Sequence, residues 1–194
     1  GMDPDIVGDV RYAEDMLDSM RSIPTISLVT DLDHLLDPDT GIYVNAYGDG
    51  EQWERPTSVE MFYPDGADGP GFPDGDDGGF QVEAGLRIRG GFSRSGNNPK
   101  HAFRLLFKSD YGDPKLNYEL FGDEGAGEFD NIDLRCTQNY SWSFQGGSKN
   151  LYLRDAFSRD MQREMGQPYT RSRYYHLYLN GQYWGVYQTQ ERSE

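Results

Sequence analysis

Two stretches on either side of a glycine-rich connector alternate polar and apolar side chains with a two-residue period. In residues 80–90 the apolar side chains fall on one face and the arginines on the other, and residues 101–108 repeat this pattern. Such alternation is typical of β-strands with one buried face. The two stretches therefore predict an antiparallel hairpin with one apolar face and one basic face.

Shorter segments elsewhere in the chain extend this predicted sheet. The further strands are expected at 26–30, 41–47, 57–63 and 129–135. Asp31 is a plausible N-cap for a short helix that ends at Leu36. Apolar residues at helical spacing predict another helix at 9–22, which Pro24 limits.

The last third of the chain carries the clearest helix and hairpin signals. Residues 150–165 predict a helix with Gly166 as its C-terminal stop. Its apolar stripe consists of Leu153, Ala156, Phe157, Met161 and Met165. Asn180-Gly181 between alternating aromatic runs predicts a type I′ hairpin over 172–190. The expected fold is α+β, a mostly antiparallel sheet with helix 150–165 packed on it.

The overall charge of the chain argues against some classes of binding partner. The 194 residues contain 18 basic and 33 acidic side chains, a net charge of −15. This balance argues against nucleic acid and anionic membranes as partners, since both attract positive surfaces. No apolar run approaches the ~20 residues that cross a bilayer, so no membrane insertion is expected. The single cysteine, Cys136, excludes an internal disulfide, and its strand-like surroundings predict a buried thiol.

The charges are also segregated along the chain. Residues 31–79 contain thirteen acidic residues and one basic residue, whereas residues 84–109 contain no acidic residue. Glycines and hydroxyl groups in the connector 89–100 could approach an anion closely, and arginine and lysine would supply the positive field. The candidate anion site consists of Arg89, Gly90, Ser93, Arg94, Ser95, Lys100 and Arg104. The alternative is a mobile hairpin tip whose arginines pair with acidic residues elsewhere.

An acidic, glycine-rich segment at 64–79 lacks any apolar period and predicts a surface loop. Its interleaved carboxylates would suit a hard cation such as Ca²⁺. The candidate ligands are Asp65, Asp68, Asp74 and Asp76. The segment does not follow the EF-hand pattern, and a solvated flexible loop is the alternative interpretation.

Several of these motifs, taken in order, resemble the CotH (spore-coat) kinase-like family. GLRIRGGFSRSGNNPKHAFRLLFK resembles the family's arginine–glycine loop, Pro-Lys step and aromatic-Arg strand. FDNIDLR and LRDAFSRDMQREMGQPYTRSRYYHLYLNGQYWGVYQTQER resemble its following strand, helix and hairpin, and the upstream GIYVN and WERPTSVE resemble large secreted bacterial members. The resemblance covers roughly residues 24–194, which leaves 1–23 as an N-terminal helical extension and 64–79 as an insertion.

The resemblance implies an atypical protein kinase that uses ATP and Mg²⁺ to phosphorylate coat proteins. Its phosphate-facing loop would contain Arg89, Gly90, Ser93 and Ser95. Either Lys100 or Arg104 would act as the nucleotide-binding cation, and Glu191 would lie at the linker that normally holds adenine.

The helix 150–165 would then stand where a kinase has its positioning helix. The candidate acidic partners of the nucleotide-binding cation are Asp155, Asp160 and Glu164. The alternative for these acids is surface pairing along the helix, such as Asp155 with Arg159.

The resemblance also implies parts that this sequence does not contain. A phosphotransferase needs a catalytic aspartate and acidic metal ligands, and in two-lobed kinases these follow the linker. We therefore expect the catalytic residues beyond Glu194, a protein substrate for the full-length parent, an extracellular or cell-surface location, and no phosphate transfer by this chain alone. The competing interpretation is a non-catalytic extracellular or cell-surface binding module with a Ca²⁺-stabilised acidic loop.

Overall fold

The computed structural model describes residues 2–64, 78–138, 141 and 151–191. Within them the α-helices are α1 (Pro4–Val7), α2 (Met16–Arg21), α3 (Leu32–Leu36) and α4 (Arg154–Glu164). The strands are β1 (Thr25–Val29), β2 (Arg55–Phe62), β3 (Phe80–Arg89), β4 (Ala102–Leu106), β5 (Leu116–Asn117), β6 (Glu128–Phe129), β7 (Asn131–Cys136), β8 (Ser172–Leu179) and β9 (Gln182–Gln190). Short 3₁₀ turns lie at Ala13–Asp15, Glu51–Trp53, Phe92–Arg94 and Gly122–Glu124.

Seven of these strands close into a barrel in the order β1-β2-β3-β4-β7-β9-β8. Six of the strand pairs are antiparallel, and the barrel closes through a parallel pair in which Thr25 of β1 faces His176 of β8. β5 and β6 form a separate two-stranded sheet. The expectation of an α+β fold with a mostly antiparallel sheet is confirmed.

The barrel interior is apolar, and its outer face is polar where β3, β4, β7 and β9 run side by side. Phe103 of β4 pairs with Ile88 of β3 and with Leu134 of β7, and all three side chains are buried. Arg104, the next residue along β4, points outward and pairs with Asp133 of β7. The two-residue period in the sequence thus separates a packed core from a charged exterior.

The predicted hairpin between β8 and β9 is present. Asn180 and Gly181 both have positive φ angles, 48° and 75°. A type I′ turn needs this left-handed backbone at both central positions, which asparagine and glycine adopt at low cost. The turn prediction is confirmed.

The prediction of a strand at 41–47 is wrong, because the structure forms consecutive turns there. The Asn45 side chain donates to the carbonyls of Pro38 and Gly41, both at 3.0 Å. Ile42 and Ala46 are buried, with a spacing of four residues instead of two. Local side-chain-to-backbone bonds of this kind compete with strand pairing.

The packing predicted for the helix at 150–165 is also wrong. α4 begins at Arg154, and its apolar stripe faces outward instead of packing on the sheet. The exposed residues are Leu153, Phe157, Met161 and Met165. Arg159 is the buried residue of α4. The barrel face below the helix is polar, so charged contacts orient the helix there.

The N-terminal segment is less helical than the predicted 9–22 and is anchored to the barrel by a histidine. A 3₁₀ turn at Ala13–Asp15 leads directly into the short helix α2. The ring of His176 is buried and lies 3.0 Å from the carbonyl oxygen of Ser19 through Nε2 and 3.2 Å from the Tyr183 hydroxyl through Nδ1. A carbonyl only accepts, so Nε2 carries a proton, and in the neutral ring Nδ1 accepts from Tyr183.

We expect acid to weaken this anchor. Burial lowers the pKa of His176 below its ordinary value of 6.5. The unfolded chain therefore takes up the proton first, and the free energy of unfolding should be unaffected above pH 6.5 and fall as the pH drops below it. Chemical denaturation at pH 7.5, 6.5 and 5.5 would measure this slope, and His176→Gln should flatten it. An identical slope in wild type and variant would contradict the prediction.

Candidate functional site

The connector between β3 and β4 is braced by Arg94. Its guanidinium donates to the carbonyls of Gly90 at 2.6 Å, Gly48 at 2.7 Å and Ile88 at 3.0 Å, and lies 3.4 Å from the Asp49 carboxylate. These bonds fasten the connector to the segment before β2. Arg94 was a predicted anion ligand, but its donors are directed at the protein's own backbone.

The hydroxyl groups of the connector are likewise directed at the backbone. Ser93 Oγ donates to the carbonyl of Arg89 at 3.3 Å, and Ser95 Oγ accepts from the amide of Asn97 at 3.3 Å. The carbonyl of Ser93 lies 2.8 Å from Nδ1 of His101. Both serines thus stabilise the shape of the connector in this structure.

Lys100 extends over β9. Its ammonium donates to the carbonyl of Trp184. A Cβ atom on the neighbouring Gly185 would lie 2.8 Å from Lys100 Nζ, so the glycine leaves room for the lysine. Burial lowers the pKa of Lys100, and Cys136 opposes this shift. The buried Cys136 thiol donates to the carbonyl of Lys100 at 3.3 Å, as expected for a structural cysteine.

Two of the predicted anion ligands meet on one carboxylate of the outer barrel face. Arg104 binds Asp133 through Nε at 2.7 Å and through Nη2 at 3.0 Å, a two-pronged contact across β4 and β7. Arg89 at the end of β3 lies 3.0 Å from the same carboxylate. Asp133 therefore ties three adjacent strands together and orients both arginines.

The positioning helix does contact a strand cation, but the cation is Arg135 and not Lys100 or Arg104. Arg135 of β7 donates to Asp155 of α4 at 2.7 Å and to Gln190 of β9 at 3.0 Å. Asp155 also pairs with Arg159 at 2.9 Å, so the pairing along the helix that was the alternative is present too.

The other two candidate acids of the helix do not contact these cations. Glu164 pairs with its neighbour Arg163 at 3.3 Å, and Asp160 is exposed. Asp155 is thus the one candidate that meets a barrel cation among the residues that the structure describes.

We call Arg89, Arg104 and Arg135, together with Asp133, the arginine face. Burial lowers the pKa of Arg89, the positive charges of Arg104 and Arg135 act in the same direction, and Asp133 opposes them. The bond to Asp133 raises the pKa of Arg104. With Arg159 included, four guanidinium groups share the carboxylates of Asp133 and Asp155. The surplus of positive charge favours an anion at this face.

Arg87, which faces Arg104 across β3 and β4, and Lys108, which follows β4, contact acidic residues from the segment before β2. The buried carboxylate of Glu54 accepts from Lys108 at 2.8 Å and lies 3.6 Å from Arg87. Lys108 also lies 3.4 Å from Glu51. These two cations, which were not among the predicted anion ligands, thus pair with acidic residues from another part of the chain.

Glu191 bonds to Arg171 and not to the residues of the arginine face. Its carboxylate accepts from Arg171 Nη1 at 2.8 Å, and its amide donates to the Arg171 carbonyl at 3.1 Å. The residue closes the end of the β8–β9 hairpin. A linker role for its backbone stays a prediction.

The proposed calcium ligands Asp65, Asp68, Asp74 and Asp76 lie outside the described residues, so that hypothesis and the binding-module alternative stay predictions. Within the described ranges, no three His, Cys, Asp or Glu side chains are grouped so that they could hold a metal ion. A search of the same residues finds no helix with the length and apolar character needed to cross a membrane.

Sequence reasoning missed Arg135 and Asp133 although both lie in the quoted FDNIDLR motif. The signal that could have identified them is their spacing. Two charged residues alternate with apolar ones in a strand, so both face the same outer surface, and the strand comes before the longest helix. A cation in that place is well positioned to meet an acid from the helix.

A family model described as CotH kinase protein matches residues 86–194, which is more than half of the chain. The match begins within β3 and includes the connector, the arginine face and α4. Residues 24–85, which the sequence resemblance also included, lie outside it. No curated protein matches the chain. The order of motifs, the paired strand and helix charges and this match lead to one conclusion, that the chain belongs to the CotH kinase protein family.

Proposed function

We propose that this chain is the N-terminal, nucleotide-binding part of a CotH-like protein kinase, resembling the first lobe of an atypical kinase, and that the phosphates of ATP bind at the arginine face. The proposal rests on the family membership and on the surplus of guanidinium groups at that face. Guanidinium groups suit phosphates because their parallel N–H donors match pairs of phosphate oxygens.

The observation that carries the proposal is the ion pair between Arg135 and Asp155, at 2.7 Å. Protein kinases use a strand lysine to hold nucleotide phosphates, and a helix glutamate positions that lysine. Here a cation on β7 and an acid in the first turn of α4 make the corresponding contact. We assign the role of nucleotide-binding cation to Arg135 in preference to Lys100 or Arg104.

The neighbouring side chains would have supporting roles. Arg104 and Arg89 would contact further phosphate oxygens, and Asp133 would hold both guanidinium groups in place. Lys100 would add positive charge at the end of the connector. Mg²⁺ would neutralise phosphate charge when bound, but no group of three side chains that could hold it is found among the described residues, and no role here depends on it.

In the full-length parent we propose transfer of the terminal phosphoryl group of ATP to a hydroxyl group of a protein substrate, with ADP as the leaving product. The catalytic aspartate and metal ligands would come from residues beyond this chain. Family membership is also the basis for proposing a spore-coat or other extracellular substrate.

Titration calorimetry at low salt with ATP and with inorganic tripolyphosphate tests this assignment. Arg135→Ala should lower the binding affinity for both ligands roughly tenfold or more, since each charge-assisted hydrogen bond contributes about 1.5–3 kcal/mol. Raising the salt concentration should weaken binding to wild type, because exposed charges are screened.

Arg163→Ala is the matched control. Arg163 lies on α4, the helix that also carries Asp155, but it pairs with Glu124 and Glu164, away from the arginine face. This variant should bind as wild type does, although the net charge changes equally. Absence of any affinity in the wild-type chain at low salt would refute the proposed function.

A further inference from the structure

A buried glutamine next to the arginine face has a side-chain amide without a hydrogen-bond partner among the described residues. Gln188 of β9 is 1% exposed, and neither its Oε1 nor its Nε2 bonds to any residue in this part of the chain. Buried side-chain amides are nearly always paired, so an amide with both groups free requires an explanation. A ligand that completes these bonds is one such explanation.

The strand register places Gln188 beside Arg135. On the outer face, Arg135 of β7 flanks it on one side and Tyr174 of β8 on the other. Arg135 donates to Asp155, and the Tyr174 hydroxyl donates to the carbonyl of Tyr152 at 3.2 Å. Both neighbours of Gln188 are thus bonded to the segment 152–155, whose two attachment points lie on either side of the glutamine.

A ligand can itself loosen the attachment of segment 152–155 to the outer face of the barrel. α4 has no side-chain cap at its N-terminus, and its apolar stripe faces away from the barrel. The contact that holds it over Gln188 includes the Arg135–Asp155 ion pair. Arg135 contacts Asp155 through Nη1, so an anion bound to its other donors leaves Asp155 in place to orient the cation and weakens only the charge attraction that holds segment 152–155.

The strand registers place the free amide and two of the arginines in one row across the barrel. From Gln188 the row passes through Arg135 on β7 and the position of Ala102 on β4 to Arg89 on β3, and Arg104 lies beside the row, two residues along β4. Three strand spacings of about 4.8 Å make this row about 14 Å long. A nucleoside triphosphate has comparable length, with uncharged and charged groups at opposite ends.

We propose that Gln188 binds the base of the nucleotide, an inference that rests on the proposed function. Its amide offers one donor and one acceptor side by side, which matches an uncharged edge with the complementary pair, as nucleobases present. An anion would satisfy Nε2 and leave Oε1 unpaired. The phosphates then lie over Arg135, Arg104 and Arg89, and the amide becomes accessible when segment 152–155 is displaced.

The test compares ATP with inorganic tripolyphosphate on Gln188→Met, which keeps the length of the side chain and removes its amide. We expect the affinity for ATP to fall about tenfold, as for a lost pair of hydrogen bonds. The affinity for tripolyphosphate should stay within about twofold of wild type, since the charged contacts are untouched. The melting temperature without ligand should rise, because an unpaired buried amide is replaced by an apolar group.

Gln182→Met, at the exposed start of the same strand, is the control and should change none of these values. If Gln188→Met does not fold, Gln188→Leu takes its place. Unchanged ATP affinity, or a lower melting temperature, in whichever Gln188 variant folds would overturn the role of Gln188 and leave the proposed function standing. Wild-type protein that binds neither ligand would overturn both.

Discussion

Replacing Asp133 with alanine is expected to destabilise the fold by about 3 kcal/mol, because removing one partner of a buried ion pair leaves uncompensated charge. Asp133 is 3% exposed, accepts hydrogen bonds from Arg104 and forms an ion pair with Arg89. Without the carboxylate, these two guanidinium groups would face each other and Arg135 across adjacent strands. The arginines keep some contact with water, so the expected loss lies at the low end of the usual range.

Urea denaturation of Asp133→Ala and Asp130→Ala would measure this effect. Asp130 lies just before β7 and is exposed, so its replacement should change the free energy of unfolding by no more than ~0.5 kcal/mol. Tripolyphosphate should restore part of the stability lost in Asp133→Ala, since the unpaired arginines then gain an anion. Equal losses in the two variants would show that the buried pairing does not stabilise the barrel.

Phe103→Ala is expected to have a comparable or larger effect on stability. Phe103 is 0% exposed, and its ring stacks on Tyr187 with centroids 6.1 Å apart. Truncating a buried phenylalanine removes its apolar contacts and leaves a cavity, at a cost of about 3–5 kcal/mol. The residue lies on β4 between β3 and β7, where no flexible segment can fill the space.

Phe157→Ala provides the matched comparison in the same denaturation experiment. Phe157 lies in the outward stripe of α4 and is 63% exposed. Its truncation should change stability by less than about 0.5 kcal/mol. A large loss in Phe157→Ala would mean that the stripe is packed in solution, contrary to the orientation of α4 described above.

Local sequence patterns predicted most of the strands correctly. The alternation in β3 and β4 and the Asn180-Gly181 turn depend on neighbours in the chain, so the sequence displays them directly. The strand prediction for 41–47 was wrong because the apolar residues there are compatible with turns as well as with a strand. The bonds from the Asn45 side chain to backbone carbonyls stabilise the turns.

Closure of the barrel could not be predicted in the same way. It depends on Thr25 meeting His176, a parallel contact between distant parts of the chain that no local pattern encodes. Closure also explains the orientation of α4. The apolar faces of the strands point into the barrel, so the helix meets a polar surface and buries Arg159 instead of its apolar stripe.

The candidate site was predicted in part. The acid-free stretch contains Arg89 and Arg104, which the structure brings together on the carboxylate of Asp133, and anion binding by them stays a prediction. It could not reveal that Arg94 is occupied by backbone carbonyls, because two of them, those of Ala46 and Gly48, belong to a distant segment. Arg135 was missed because it lies in a strand that contains acids, where the charge pattern gave no signal.

The parallel contact of β1 with β8 has a practical consequence for dividing the chain. The residues matched by the family model begin within β3, yet β1 and β2 complete the barrel. A fragment cut to the matched residues would expose the unpaired backbone edges of β3 and β8, and such edges recruit other chains into mixed sheets. Recombinant versions should therefore start before Thr25, because the closed barrel begins earlier in the chain than the residues that the family model matches.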